Sequence, residues 1–209
     1  MKRHFIFLLI AIILVGCAGG PGRGERHGDT TGTKRLHTQL GAPAEGAMPV
    51  EEYDVLDALL ETLAVGDAEL LVIGDHTVSF GADKDSAAVA MHLEIPVEVV
   101  EDYAAKNKTE AAIEERFNLS GDYVLLGDDD FDRMFSAEDR GGWDRFYRKY
   151  PKSAGHIQLS RPGFNKDKTL ALVYIGNQRN WLAGTGEYII LEKIDGAWKI
   201  KNREMIWIS

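Results

Sequence analysis

The chain is 209 residues long, 44% hydrophobic and 27% charged, with 33 acidic against 24 basic side chains and a formal charge of −9. That balance argues against nucleic acid as a partner, because neutralising phosphates takes a basic face. One cysteine in the whole chain excludes internal disulfides and any cysteine-rich metal site.

Lys2 and Arg3 precede a nearly unbroken apolar run, Phe5 to Val15, which closes as Leu14-Val15-Gly16-Cys17 on that cysteine. A basic start, a short apolar run and small residues at its end have the form of a secretory signal. The run is about 11–12 residues, short of the ~20 that a spanning helix needs. Leu-x-Gly-Cys at such a position resembles the lipobox of bacterial lipoproteins. The resemblance implies cleavage after residue 16, acylation of Cys17, and a mature chain held on a bilayer by its lipid. Ala18 stands where Asp would mark inner-membrane retention, so the resemblance implies the outer membrane in a cell that has one. Residues 1–16 carry two bases and no acid, and their loss takes the charge to −11. Residues 17–48 are expected to be the lipidated Cys followed by a flexible tether, rich in Gly, Thr and Arg and without apolar periodicity. One globular domain is expected over 49–209, a comfortable size for a single core.

Pro49 opens that domain. Tyr53, Leu56, Leu60 and Leu63 recur at helical spacing, with Gly66 as a stop. Glu69 to Phe80 is short, apolar and β-rich. Gly81 to Asp85 breaks it, and Val89, Met91, Leu93, Ile95 and Val97 then alternate with other residues, which predicts a strand and hence a hairpin over 69–97. Two short helices are predicted over 98–107 and 109–118, and a short buried strand over 123–126. Asp128-Asp129-Asp130 precedes Phe131, Met134 and Phe135 at helical spacing, the pattern of a capped helix start. Trp143, Phe146, Tyr147 and Tyr150 predict an aromatic helix ending at Pro151.

Beyond it, an antiparallel meander is predicted over 155–162, 169–177, 187–194 and 197–208, with Asp195-Gly196 as a two-residue turn. Strand 169–177 is apolar on both faces, so it should be central, with the 143–150 helix among its covers. The fold class is α+β: helices and a hairpin first, then a four-stranded meander on an aromatic helix. The block Gly142-Trp143, Phe146-Tyr147, Tyr150-Pro151, Ser160-Arg161, Gly163-Phe164-Asn165, Ala171-Leu172-Val173-Tyr174, Gly184, Gly186, Tyr188, Gly196, Trp198 and Trp207-Ile208-Ser209 resembles the C-terminal part of an uncharacterised family of bacterial secreted proteins and lipoproteins. That family implies no activity. Helices before a curved meander are also similar to NTF2-like (SnoaL-type) folds, a likeness that implies no function.

Several residue clusters carry candidate chemistry. Asp128, Asp130 and Asp132 match the first positions of a calcium loop, but Arg133 stands where the turn needs Gly, so a helix start is preferred. Asp75 and His76, if both lie on one strand, point to opposite faces and cannot serve one centre. His92 could neighbour His76 across the hairpin, yet two histidines do not complete a zinc site. His156 and Ser160 share a strand face about 13 Å apart, too far for proton transfer. Gly184-x-Gly186 is read as a turn and not a nucleotide loop. The remaining candidate is the 177–186 stretch, the longest irregular connection in the meander. Arg179 and Trp181 there, with Arg161 on the preceding hairpin, would form a cationic and aromatic rim suited to an acidic or sugar-like ligand. The leading functional reading is a non-catalytic envelope lipoprotein that binds a ligand or an envelope protein through Arg161, Arg179 and Trp181. It needs no metal or cofactor. The alternatives are a periplasm-facing hydrolase and a structural surface lipoprotein.

Overall fold

A computed structural model describes residues 48–63, 68–80, 86–136 and 141–209. The signal, Cys17, all of the tether but Met48, Gly66 and the 81–85 break lie outside the described residues. Among the described residues, five helices and seven strands follow in the order α1 (Val50–Leu60), β1 (Leu70–Gly74), α2 (Ser86–Leu93), α3 (Val97–Lys106), β2 (Asp122–Leu126), α4 (Asp128–Phe135), α5 (Gly142–Lys149), β3 (Ser153–Leu159), β4 (Gly163–Phe164), β5 (Leu170–Asn180), β6 (Ala183–Ile194) and β7 (Ala197–Ile208). The fold is therefore α+β.

All strands join one mixed sheet in the order β2-β1-β3-β5-β6-β7, and β4 pairs with β5 beyond the end of β3. β1 runs parallel to β2 and to β3, whereas every pair from β3 to β7 is antiparallel. Asp195 and Gly196 take φ of 52° and 83°, as a type I′ turn between β6 and β7 demands.

Period-2 alternation sends alternate residues to the two faces. On one face Leu71, Ile73, Ile157, Leu159, Val173, Ile175, Ile189 and Leu191 pack under Val55, Leu56, Leu59 and Leu60 of α1 and under Ile113 and Phe117. On the other, Leu172, Tyr174, Tyr188 and Ile190 lie under Leu93, Val99, Val100 and Tyr103 of α2 and α3. Val72 and Leu126 on that side lie under Met134, Trp143 and Phe146 of α4 and α5. β5 is central and covered on both faces, but its covers are α1 and α2/α3. The aromatic helix α5 covers β1 and β2 instead.

The predicted 69–97 hairpin is corrected. Only Leu70–Gly74 is a strand, and the alternating stretch is helix α2 followed by α3, which starts after Pro96. The alternation was coincidental: Met91 is 80% exposed and Val97 43% exposed, while Ala90 and Leu93 at helical spacing are buried. The predicted 109–118 helix is also absent. Its backbone groups bond elsewhere, Ile113 N–H to the Asp75 carbonyl, Glu114 N–H to the Tyr53 hydroxyl and Asn118 N–H to Asp57. Polar side chains on α1 thus replace the intrahelical ladder. β2 is a sheet edge and only partly buried.

Candidate functional site

The C-terminal ends of parallel strands that diverge to either side of one strand are a common ligand crevice. Here β1 meets β2 on one side and β3 on the other, but the crevice is filled. After β1 the chain runs past the end of β3, with Val78 N–H on the Leu159 carbonyl and Phe80 N–H on the Asn107 carbonyl. Fully buried Asn107 completes the plug: its amide donates to the carbonyls of Tyr103 and Arg161 and accepts from Arg161 N–H at 2.8 Å.

That plug orients Arg161. Its guanidinium forks onto both carboxylate oxygens of Glu52 at 2.9 Å each, tying the first turn of α1 to the β3–β4 corner. Glu52 is 1% exposed, and burying a carboxylate is costly unless it is paired and hydrogen-bonded. Lys106 adds a second cation 3.5 Å from Glu52, bonds Asp102 at 2.8 Å and sits 4.5 Å above the Phe164 ring. The Glu52 bonds raise the Arg161 pKa. α3 can approach β4 this closely because residue 163 is glycine: a Cβ there would lie 2.4 Å from the Tyr103 backbone nitrogen.

Above this pair opens a cleft of about 580 Å³. Glu51, Glu52, Glu98 and Asp102 line it together with Lys106, Arg161, Lys166 and Lys168. Lys168 bonds Glu51 and lowers its pKa, and the Lys166 backbone N–H reaches Glu98 at 3.4 Å. The Lys166 ammonium has no carboxylate partner among the described residues. No serine, threonine, cysteine or histidine stands among the described lining residues. The cleft therefore offers paired charges for binding.

The three predicted binding residues do not converge. Arg161 is at the cleft, on the α1 face of the sheet. The predicted 177–186 loop is instead the ends of β5 and β6 joined by Trp181-Leu182. Ser160 N–H bonds the Tyr174 carbonyl, which sets Arg161 on the order of 20 Å along the sheet from Arg179, at 3.3 Å per residue. Arg179 is exposed, and its carbonyl accepts from the Tyr147 hydroxyl at 2.8 Å. Trp181, 48% exposed, packs edge-on to Phe135 on the opposite face from Arg161.

The other candidates resolve as follows. Asp75 and His76 lie beyond the end of β1, so the strand rule does not separate them: His76 Nδ1 is 2.8 Å from Asp75 Oδ1, and that bond raises the His76 pKa. His92 is on α2 and bonds Glu204 of β7 at 3.0 Å, far from His76 in the fold. His156 is buried and stacked on Phe131, and burial pushes its pKa down to about 4. Asp128, Asp129 and Asp130 fill the first turn of α4, where the macrodipole favours them, but Gly127 is the cap and makes no side-chain bond. Gly184 and Gly186 lie inside β6, and a Cβ on Gly186 would be 1.9 Å from Trp207 Nε1. That glycine lets Trp207 lie across the strand and reach the Tyr174 hydroxyl at 3.0 Å.

Among the described residues no group of three or more His, Cys, Asp or Glu could hold a metal ion. The Glu52–Arg161 clamp escaped sequence reasoning because its partners are 109 residues apart. Compared with family models, with curated proteins and with solved structures, the chain shows no significant match.

Proposed function

We propose that this chain is a bacterial envelope lipoprotein whose domain binds a small acidic or sugar-like ligand without catalysis, at the cleft beside Arg161. The observation that carries the reading is the 580 Å³ opening lined by four acids and four bases, within the ~300–1,000 Å³ range of small-molecule sites. Arg161 is held by Glu52 at the floor, while Lys166 and Lys168 stand at the rim. Glucuronate, an acidic sugar, should raise the melting temperature of the parent more than glucose does. The rise should vanish in the Lys166→Glu/Lys168→Glu variant. No rise in the parent, or an equal rise in the variant, would reject the cleft.

The envelope address rests on the Leu14-Val15-Gly16-Cys17 motif, with Cys17 acylated and the outer membrane its destination in a cell that has one. Labelled palmitate should enter the parent and not Cys17→Ser; incorporation into both would defeat this part. The likeness to an uncharacterised lipoprotein family stands on the 142–209 block alone. Helices ahead of antiparallel β3–β7 support the NTF2-like reading, and the parallel pairs of β1 weigh against it. A hydrolase reading draws support from the Asp75–His76 contact, both side chains being partly open to solvent. Under that reading His76→Ala abolishes turnover of a broad ester and glycoside panel; a panel the parent leaves untouched removes it.

A further inference from the structure

The charges that line the cleft differ in how far the fold already uses them, and the remainder describes a ligand. Glu52 is held by Arg161 and Lys106. Asp102 accepts the Phe164 N–H at 2.7 Å and the Lys106 ammonium at 2.8 Å, so both of these acids are committed inside the fold. At the rim Glu51 is paired with Lys168. Two groups are left. Among the described residues Glu98 receives the Lys166 backbone N–H at 3.4 Å and has no cationic partner, and the Lys166 ammonium has no carboxylate. Both residues are exposed and border the same opening. Their backbones are braced. Glu98 stands in the first turn of α3. Lys166 stands in the β4–β5 turn, where the Asn165 side-chain oxygen accepts from the N–H groups of Thr169 and Leu170 at 2.8 and 2.9 Å. The Lys166 N–H ties that turn to α3, which keeps the free carboxylate and the residue that carries the free ammonium as neighbours.

We infer that the cleft takes a zwitterion, a small polar molecule whose ammonium pairs with Glu98 and whose carboxylate pairs with Lys166. The inference rests on the cleft reading above and narrows its acidic ligand to one that also carries a positive charge. Two arguments select a dipolar ligand over a plain anion. The lining holds four acids against four bases, so it offers an anion no surplus of positive charge, and the field of a chain at −9 repels one at longer range. An anion on Lys166 would also lie beside the unpaired Glu98 carboxylate, and like charges at close range disfavour each other. An ammonium on the same molecule turns that repulsion into a second ion pair. A plain cation on Glu98 meets the reverse difficulty at Lys166.

The test uses three molecules with one six-carbon skeleton. Glucosaminic acid carries both charges, gluconate the negative one and glucosamine the positive one, all ionised at about pH 6.5. Titrated calorimetrically into the parent, glucosaminic acid should bind about fivefold or more tightly than either of the others, the effect of one ion pair in water. Glu98→Gln keeps an oxygen that can accept the Lys166 N–H and removes the charge; it should bring glucosaminic acid to within about twofold of gluconate. Lys166→Gln should weaken both acids by about fivefold and leave glucosamine no weaker. Both residues are exposed, so the melting temperature without ligand should stay at the parent's value in each variant. Gluconate binding as tightly as glucosaminic acid, or a preference for glucosaminic acid that survives Glu98→Gln, would overturn the inference. So would a lack of glucosaminic acid binding while glucuronate still stabilises the parent, and in all three cases the cleft reading would stand. Failure of glucuronate and of all three probes would remove the cleft reading and the inference with it.

Discussion

At the scale of single residues, buried His156 and partly buried Asp57 pull stability in opposite directions over the same pH range. His156 has no charged partner, and burial lowers its pKa from the usual 6.5 to about 4. The unfolded chain takes up that proton near pH 6.5 and the folded one only near 4, so this group removes stability as pH falls through that interval, by at most about 3 kcal/mol. Asp57 behaves inversely. Burial raises its pKa from 3.8 to about 6, so the folded state binds a proton first and gains stability as pH falls from about 6 to 3.8. The parent should therefore show a shallow profile between pH 7 and 4 in urea denaturation. His156→Phe should expose the Asp57 limb, with stability rising by about 1–2 kcal/mol on acidification, discounted because Asp57 is only partly buried. A variant profile as shallow as the parent's would refute the assignment. Asn107 gives a second residue-scale test. Its three buried bonds hold the plug and the Arg161 backbone, so Asn107→Ala should cost about 2–4 kcal/mol in the same assay.

Between elements, the Glu52–Arg161 pair clamps α1 to the β3–β4 corner, and its energetics should be lopsided. Arg161→Met leaves a carboxylate that is 1% exposed with only Lys106, 3.5 Å away, and should cost about 2–4 kcal/mol, whereas the paired change Glu52→Leu/Arg161→Met should be close to neutral. A double-variant loss equal to the sum of the two single-variant losses would show that the pair is not coupled. Gly163→Ala tests the α3–β4 approach. Its Cβ meets Tyr103 backbone and no flexible side chain, so destabilisation of at least ~2 kcal/mol is expected from thermal melts. Elements whose pattern and period agree were legible from sequence: α5 from its aromatic stripe, β5 from apolar residues on both faces, and the β6–β7 turn from Asp195-Gly196. The stretch 89–97 was misread because five apolar residues two apart also satisfy a short helix, and only burial of Ala90 and Leu93 with exposure of Met91 decides it. The 109–118 segment was misread because its backbone partners sit on α1 and after β1. Of the site, Arg161 was legible as an unusual cation in an acidic domain. Glu52 and Lys106 were not, since no local pattern announces a contact made across 109 residues or 54.

For the whole molecule, the two ends of the sheet have different chemistry: charged and clefted beside β4, apolar at the β5–β6 tip. A consequence comes from the place of β1. Among the described residues it is the first strand to be made, yet it lies between β2 and β3, and its Leu70–Ile73 stretch must pair with Ser153–Ile157. Long-range parallel pairing is slow because the intervening loop entropy is lost before any contact repays it. A chain emerging amino-terminus first therefore carries four consecutive large aliphatic residues in a strand with one edge unpaired until β3 follows. During that interval it is vulnerable to aggregation and is a natural client for a holding chaperone, whereas the β5–β7 hairpins can close by themselves as soon as they appear.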